Sequence, residues 1–341
     1  SMKEELKSYF KGRVSYLASM ETNIKKEYVK IGLQGNLKKF EVSSYKMESF
    51  QNSSYEEAIK KDNIRTVKKK DQKSQIKETA GSGWKNNARE ASLFVYPDGT
   101  WGKEGFDKYI STSSISIGGG VKYKFTKYFL NESKIGKINK NENGYSNKVL
   151  KIINNYSSKY ANILANILKS KKKLWFIYGS IVRGSGLILF SLLLELFGFS
   201  LATGQDKTLS NRYSLLTGQN MTNRQLKRVQ NRFNNNDNAT GKYIRVIIAS
   251  EAISEGFSFY NVQREVILTP HWNFSETSQA LARGLRLGSH RELERKGITP
   301  EMKIYLTASI PTHKKSVDLH LYEMSEDKDV SLMSIIRLIM E

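Results

Sequence analysis

Tyr243-Ile-Arg-Val-Ile-Ile-Ala-Ser-Glu-Ala-Ile-Ser-Glu-Gly256 is the stretch that decides the fold class. Its first half, Tyr243–Ala249, is rich in apolar and β-branched residues, as expected of a parallel strand buried on both faces. Its second half is polar and ends at Gly256, where a missing side chain would let the backbone approach a ligand. A buried strand that runs into a polar loop is typical of the ligand-binding edge of an open α/β sheet. A plain alternative is that Ser250 caps a short helix.

Similar apolar segments alternate with helical patterns on both sides of this strand. Further strands are predicted at Lys173–Tyr178, Phe199–Leu201, Glu265–Leu268 and Met302–Ala308, and helices at Val149–Leu168, Ile188–Phe197, Asn223–Phe233 and Ser275–Leu285. This alternation predicts an α/β fold, a parallel sheet with helices on both faces. Trp175 lies within a predicted strand, so we expect it to be a core residue rather than a base-stacking one.

The two ends of the chain differ from the α/β segment in composition and in hydrophobic pattern. Residues 1–148 are polar and lysine-rich, so we expect a smaller, irregular α+β accessory region. It should contain a short strand at Lys11–Leu17 and, over Ser92–Gly99, a strand that runs into a Pro-Asp-Gly turn. The basic run Lys60–Lys77 is predicted to be an exposed loop or a mobile helix. Residues 319–341 carry an apolar stripe at helical spacing, which predicts a helical tail after the α/β domain at 149–318.

The composition limits the partners and the chemistry. With 55 Lys and Arg against 33 Asp and Glu, the formal net charge is +22. This excess favours DNA or RNA as a partner, although an AT-rich genome that encodes many Lys and Asn residues is an alternative cause. The lack of cysteine excludes disulfides and thiolate metal sites, and no two histidines have the i, i+4 spacing of a zinc helix. The most apolar stretch, 187–199, is shorter than a bilayer span of ~20 residues, and we interpret it as a buried helix.

The segment Gln279-Ala-Leu-Ala-Arg-Gly-Leu-Arg286 carries the strongest functional pattern. Arg283 and Arg286 are three residues apart, so they would share a face of the predicted helix, and Gln279 lies one turn before Arg283. Two guanidinium groups beside the edge of a sheet suit the negative charge that develops on a transferring phosphoryl group. A solvated basic helix end, favoured by the helix dipole, is the alternative.

Together these motifs resemble superfamily 2 helicases and the related chromatin-remodelling ATPases. Residues 279–286 look like motif VI, residues 250–256 resemble motif V, and residues 173–186 are similar to the motif IV region. The resemblance implies that residues 149–318 form the C-terminal RecA-like lobe of a motor. Motif VI departs from many relatives in having Ala282 in place of glycine, which changes packing but leaves both arginines.

Five further segments are similar to one viral group, the helicases of large nucleocytoplasmic DNA viruses. That group includes the poxvirus early transcription factor small subunit and nucleoside triphosphatase I. The segments are Lys11–Tyr16, Arg89–Tyr96, Gly105–Tyr109, Pro270–Ser275 and Arg286–His290. A viral protein of the virion or the host cytoplasm, with the viral transcription machinery as a partner, is therefore expected.

The resemblance also implies roles for particular residues. Arg283 and Arg286, with Gln279 orienting the first, would be the arginine fingers of the ATP site. Glu255 and Gly256 would lie near the nucleotide. Contacts to nucleic acid would come from Arg183, Thr217, Gly218 and Ser250. Charge and aromatic character add four candidates, Lys68, Lys69, Lys70 and Trp272, although the three lysines also fit a merely solvated charge run.

The parts that bind nucleotide phosphates in such motors are missing from this sequence. It contains neither a Gly-x-x-x-x-Gly-Lys-Ser/Thr loop nor an Asp-Glu-x-His/Asp box for magnesium. We therefore expect an N-terminal RecA-like lobe of the same protein to bind most of the ATP and Mg²⁺, and Ser1-Met2 is typical of an expression-vector remnant. The chain alone is predicted to be inactive, and the longer protein to be an ATP-dependent helicase or NTPase. The alternative is a non-catalytic nucleic-acid-binding scaffold of a viral transcription complex.

Overall fold

A computed structural model describes residues 24–70, 85–114, 121–217, 222–251, 257–285 and 288–340. The strands are β1 (Lys25–Tyr28), β2 (Ser43–Lys46), β3 (Ile110–Ser114), β4 (Val121–Phe125), β5 (Leu174–Tyr178), β6 (Ser200–Leu201), β7 (Arg212–Leu216), β8 (Val246–Ala249), β9 (Val262–Ile267) and β10 (Glu301–Ile310). The α-helices are α1 (Ser49–Lys70), α2 (Asn86–Leu93), α3 (Gly102–Tyr109), α4 (Lys127–Glu132), α5 (Tyr145–Tyr156), α6 (Ser158–Lys169), α7 (Leu187–Glu195), α8 (Asn223–Phe233), α9 (Phe274–Leu281), α10 (Arg291–Arg295) and α11 (Val317–Met340).

One parallel sheet organises the described residues. Its strand order is β1-β10-β9-β5-β8-β7-β6, and β2 also pairs with β10. The long strand β10 holds β1 along residues 301–304 and β2 along residues 307–310, so the two short strands follow one another along a single edge. A separate antiparallel hairpin joins β3 to β4. The predicted α/β fold with a parallel sheet is therefore confirmed.

The core lies in two layers, one on each face of the sheet. In β5, Trp175 and Ile177 face a layer covered by α5, α6 and α7, while Phe176 faces a layer covered by α8, α9 and α11. This follows from the two-residue period of a strand, which sends successive side chains to opposite faces. Trp175 is 0% exposed, which confirms that it is a core residue. Of the helices in the described ranges, none combines the length and the apolar character that a membrane crossing requires.

The predicted helix over Val149–Leu168 is wrong in one respect, because it is two helices that meet at Ser157. The backbone of Ser157 is extended, with φ −161° and ψ 102°. Its N–H donates to Ile153 O at 2.8 Å, and its hydroxyl accepts the N–H of Tyr160 at 3.0 Å. One serine therefore ends α5 and caps α6.

The strand predicted at the start of Ser92–Gly99 is also wrong, because its first residues end α2 and Val95 forms only an isolated bridge, to Trp101. The Pro-Asp-Gly turn predicted at the end of this segment is present, and the N–H of Gly99 donates to Tyr96 O at 2.8 Å. The basic run from Lys60 continues α1 as far as Lys70, so that part is helical, while residues 71–77 lie outside the described residues. The predicted strand at Lys11–Leu17 also lies outside them.

The sheet takes strands that the sequence did not indicate. β1 and β2 precede residue 148, the predicted domain boundary, and yet they complete the edge of the sheet. β1 has the sequence Lys-Lys-Glu-Tyr with three exposed residues, so it lacks the apolar pattern of a buried strand. The boundaries at 148 and 318 stay predictions.

Candidate nucleotide and nucleic-acid site

The carboxyl ends of the central parallel strands meet at one edge of the sheet, where ligands bind in such folds. Tyr178 ends β5, Thr217 follows β7 and Ser250 follows β8. Because β7 pairs with β8 and β8 pairs with β5, these three residues come from neighbouring strands. Parallel pairing therefore brings residues that are far apart in the sequence together at the carboxyl edge of the sheet. This edge, with Tyr178, Thr217 and Ser250, is here called the rim.

Thr217 and Ser250 form a pair of buried hydroxyl groups at this rim. The N–H of Ser250 donates to the carbonyl of Leu216 at 3.1 Å, which fixes the two strand ends side by side. Thr217 is 1% exposed and Ser250 is 3% exposed. Within the part of the chain that the structure describes, neither hydroxyl has a hydrogen-bond partner. Both hydroxyls are therefore candidates for binding an oxygen atom at the rim.

The segment after α9 places Arg283 in a turn rather than on a helix. The N–H groups of Arg283 and Gly284 donate to Ala280 O and Leu281 O at 3.1 and 3.3 Å, which tightens the chain into three-residue turns. The carbonyl of Arg283 accepts the N–H of Phe259 at 3.0 Å. A Cβ on Gly284 would lie 3.2 Å from Met302. The helix predicted over Ser275–Leu285 therefore ends early, because glycine lets the turn pack closely against the sheet.

The charge of Arg283 acts at the rim. Burial raises the pKa of the Tyr178 hydroxyl well above its usual range, the carboxylates of Glu251 and Glu276 raise it further, and the Arg283 guanidinium opposes them. Arg283 is half-buried, and its effect on Tyr178 relates its charge to the end of β5. Gln279 is exposed on α9, one turn before Arg283 in the sequence.

Arg183 belongs to the loop of residues 179–186 between β5 and α7, here called the Arg183 loop. Its side chain is exposed, and its guanidinium carbon lies 5.5 Å from the centroid of the Phe106 ring. The loop starts at the rim, where the N–H of Ser180 donates to the hydroxyl of Thr269 at 2.7 Å. The loop thus carries the Arg183 guanidinium at the same edge of the sheet as Thr217.

The remaining predicted residues lie elsewhere or outside the described ranges. Trp272 is half-buried, and the ammonium of Lys328 lies 3.5 Å from its ring centroid. Lys68, Lys69 and Lys70 form the end of α1. Arg286, Gly218, Glu255 and Gly256 lie outside the described residues, so the structure does not place them.

Sequence reasoning missed a polar cluster that contacts the Arg183 loop. Glu90 on α2 accepts the N–H of Ser185 at 2.8 Å, and Arg89 donates to the hydroxyl of Ser180 at 3.4 Å. Burial raises the pKa of Glu90 to about 7, although the Ser185 hydrogen bonds and the Arg89 guanidinium act in the opposite direction. The available signal was the similarity of Arg89–Tyr96 to viral helicases, which indicated the segment and not its contacts.

The chain resembles known viral proteins over nearly all of its length. Residues 160–288 match the family model described as helicase conserved C-terminal domain. Identity is 35% over 345 residues to "Putative helicase 087L" of Invertebrate iridescent virus 3, covering 99% of this chain and 31% of that protein. It is 27% over 303 residues to nucleoside triphosphatase I of Melanoplus sanguinipes entomopoxvirus, covering 82% of this chain and 43% of that protein. The chain thus spans less than half the length of these relatives.

One solved structure gives a weaker likeness. The C-terminal part of the Fun30 ATPase domain aligns with 93% of this chain and 96% of its own, at 13% identity and a TM-score of 0.43. A likeness of this strength adds nothing about the site.

Proposed function

We propose that this chain, which carries the C-terminal RecA-like lobe of a viral superfamily 2 helicase, supplies one wall of an ATP site and part of a nucleic-acid track. The other wall would come from an N-terminal RecA-like lobe of the same protein, because this sequence has no phosphate-binding loop. ATP and Mg²⁺ would be held mainly by that lobe. Viral transcription machinery would be a further partner.

The observation that carries the proposal is the turn after α9 that holds Arg283 by backbone hydrogen bonds, with its charge acting on Tyr178 at the end of β5. A guanidinium there can approach phosphate oxygens that are presented by a facing lobe, and its planar, permanently charged fork matches their geometry. Arg286 would act with it, and Gln279 would orient Arg283. Glu255 and Gly256 would lie near the nucleotide.

The nucleic-acid track would run along the same rim. The hydroxyls of Thr217 and Ser250 would donate to phosphate oxygens, and exposed Arg183 would add charge. Gly218, next to Thr217, would leave room for the backbone of the strand. The formal net charge of +22 supports an anionic partner, and binding should weaken with salt as phosphate contacts release counterions.

Two further groups are proposed as outlying contacts. Lys68, Lys69 and Lys70 would meet phosphates from the end of α1. Trp272 would stack on a base only through the ring surface that Lys328 leaves open.

Steady-state ATP hydrolysis by the full-length protein, with and without single-stranded DNA or RNA, tests the proposal. Arg283→Ala should lower the nucleic-acid-stimulated rate by on the order of 10³ or more, as loss of an arginine finger does. Arg291→Ala is the matched control, because Arg291 is an exposed arginine eight positions later in the sequence. Equal rates for the two variants would contradict the proposal. A wild-type protein that binds nucleic acid without hydrolysing ATP would instead be a scaffold.

A further inference from the structure

We infer that Glu90 is a positioning residue for Arg183: α2 and the chain that follows it clamp the Arg183 loop so that its guanidinium is presented at the rim. This inference rests on the proposed role of Arg183 as a contact to nucleic-acid phosphate. It adds a required element to that role, because Glu90 and most of the other residues that form the clamp precede the matched helicase domain, which begins at residue 160.

The clamp holds the loop mainly through its backbone. The carboxylate of Glu90 accepts the N–H of Ser185 at 2.8 Å, and the hydroxyl of Tyr96 donates to Gly184 O at 2.7 Å. From α6, the hydroxyl of Tyr160 donates to Ser185 O at 2.7 Å. The two residues that follow Arg183 are therefore fixed from three directions.

Ser185 adds a side-chain anchor to this clamp. Its hydroxyl donates to Phe94 O at 2.8 Å and accepts the N–H of Gly102 at 3.0 Å, while the residue itself is 0% exposed. At the other end of the loop, Arg89 reaches Ser180 at 3.4 Å. Both ends of the loop are thus bound to residues 89–102.

Gly184 shows how close the contact is. Its φ is +65°, a conformation that side chains other than glycine rarely adopt. A Cβ at this position would lie 2.7 Å from Oε2 of Glu90 and 2.8 Å from Oε1. The loop therefore lies directly against the carboxylate, and only glycine permits that approach.

The clamp also covers one side of Arg183 itself. Phe106 on α3 lies under the guanidinium at 5.5 Å, and α3 begins at Gly102, the residue that donates to Ser185. An aromatic face beside an arginine restricts its rotamers without neutralising its charge. Residues that precede the helicase domain match thus contact both the backbone beside Arg183 and the Arg183 side chain.

A double-mutant cycle on this 341-residue chain tests the inference, with a fluorescein-labelled single-stranded DNA oligonucleotide and the matching RNA as probes. Arg183→Ala should weaken binding about tenfold, the typical loss of a charge-assisted hydrogen bond. Glu90→Ala should weaken it severalfold in the wild-type chain and should have no further effect in the Arg183→Ala chain. Glu104→Gln is the exposed-glutamate control for the charge change.

The outcomes distinguish the positioning role of Glu90 from the nucleic-acid role of Arg183 on which it rests. If Arg183→Ala binds as tightly as wild type, the proposed nucleic-acid role of Arg183 is wrong. If Arg183→Ala binds weakly but Glu90→Ala lowers the affinity equally in the wild-type and Arg183→Ala chains, the positioning role of Glu90 is wrong. Thermal unfolding of every variant identifies a loss that comes only from misfolding, and Glu90→Gln, which keeps an oxygen acceptor for Ser185, replaces Glu90→Ala in that event.

A pH profile of binding, measured where both wild type and Glu90→Gln are folded, gives a second readout. The groups that face Glu90 are the Arg89 guanidinium and the hydroxyls of Tyr96, Tyr160 and Ser185. Near pH 6 Glu90 is mostly protonated and Glu90→Gln should bind like wild type, whereas near pH 8 burial disfavours the ionised carboxylate, so the clamp should loosen and wild type should bind several times more weakly than Glu90→Gln. A ratio of affinities that stays constant over this range would overturn the inference.

Discussion

The Arg183 loop and the turn that carries Arg283 lie at the same edge of the sheet, but they are held in different ways. The Arg183 loop is gripped by side chains from an earlier segment, with Glu90 and Tyr96 bonded to its backbone. The Arg283 turn is held by backbone contacts inside the helicase domain match, such as the bond from Phe259 N–H to its carbonyl. Changes in α2 should therefore disturb the first region and spare the second.

The largest effect on stability is expected at Asp318, which joins α11 to α6, β10 and α2. Its carboxylate binds the buried ammonium of Lys159 at 2.7 Å and accepts the N–H of Ser309 at 2.9 Å and the hydroxyl of Ser92, in α2, at 3.2 Å. Asp318→Ala leaves the Lys159 charge buried and unpaired, so the free energy of unfolding should fall by about 3–5 kcal/mol.

Urea unfolding measures this loss, and Asp327→Ala on the same helix is the control, because Asp327 is exposed. Because Asp318 bonds to Ser92 in α2, its loss should also weaken nucleic-acid binding through the Arg183 loop. A loss no larger than that of the control would show that the buried pair does not anchor α2 to the domain.

The next effect in size is the pH dependence that Glu90 gives to stability. Its pKa is raised from the usual 4.5 to about 7 in the folded chain. The folded state therefore holds a proton that the unfolded state releases, so the stabilisation is complete below about pH 4.5 and is lost as the pH rises through about 7. Relative to Glu90→Gln, wild type should lose roughly 2–3 kcal/mol between pH 5 and pH 8.

Chemical denaturation of both chains at several pH values checks this, with Glu104→Gln as the exposed control. Parallel pH profiles for wild type and Glu90→Gln would mean that the Arg183 loop is not held against a buried carboxyl, and the contrast between the two regions would disappear.

The smallest effect compares two glycines with positive φ. Gly184 has φ +65° and lies against Glu90, whereas Gly144 has φ +79° and a Cβ added there would meet no described heavy atom within 4 Å. Gly144→Ala should cost about 1 kcal/mol of unfolding free energy for backbone strain alone, and Gly184→Ala about 1–2 kcal/mol more. Thermal or urea unfolding of the two variants measures these costs. Adding Glu90→Ala should remove most of the difference, and equal costs for the two glycines would argue against a tight clamp.

The central strands and the motif segments could be predicted from the sequence because their signals are local. β5 and β8 are runs of apolar residues, and the helix predicted at Asn223–Phe233 has those bounds in the structure. The position of the rim could be predicted from these strands, since parallel strands bring their carboxyl ends together.

The rest depends on contacts between distant residues. β1 is a strand only because β10 offers a free edge to a charged segment. The early end of α9 depends on Gly284 packing against Met302. Glu90 reaches Ser185 across 95 positions of sequence, and nothing near Glu90 marks it as a loop anchor. Such contacts are decided by the assembled core, so a local pattern cannot reveal them.

One measurement tests the account most directly, a nucleic-acid titration of ATP hydrolysis by the full-length protein. We predict that Arg183→Ala raises the nucleic-acid concentration for half-maximal stimulation and leaves the maximal rate near wild type. Arg283→Ala should lower the maximal rate by on the order of 10³ and leave that concentration nearly unchanged. If both variants changed the same parameter, or if Arg283→Ala hydrolysed ATP at the wild-type rate, the assignment of one region to nucleic acid and the other to the nucleotide would be contradicted.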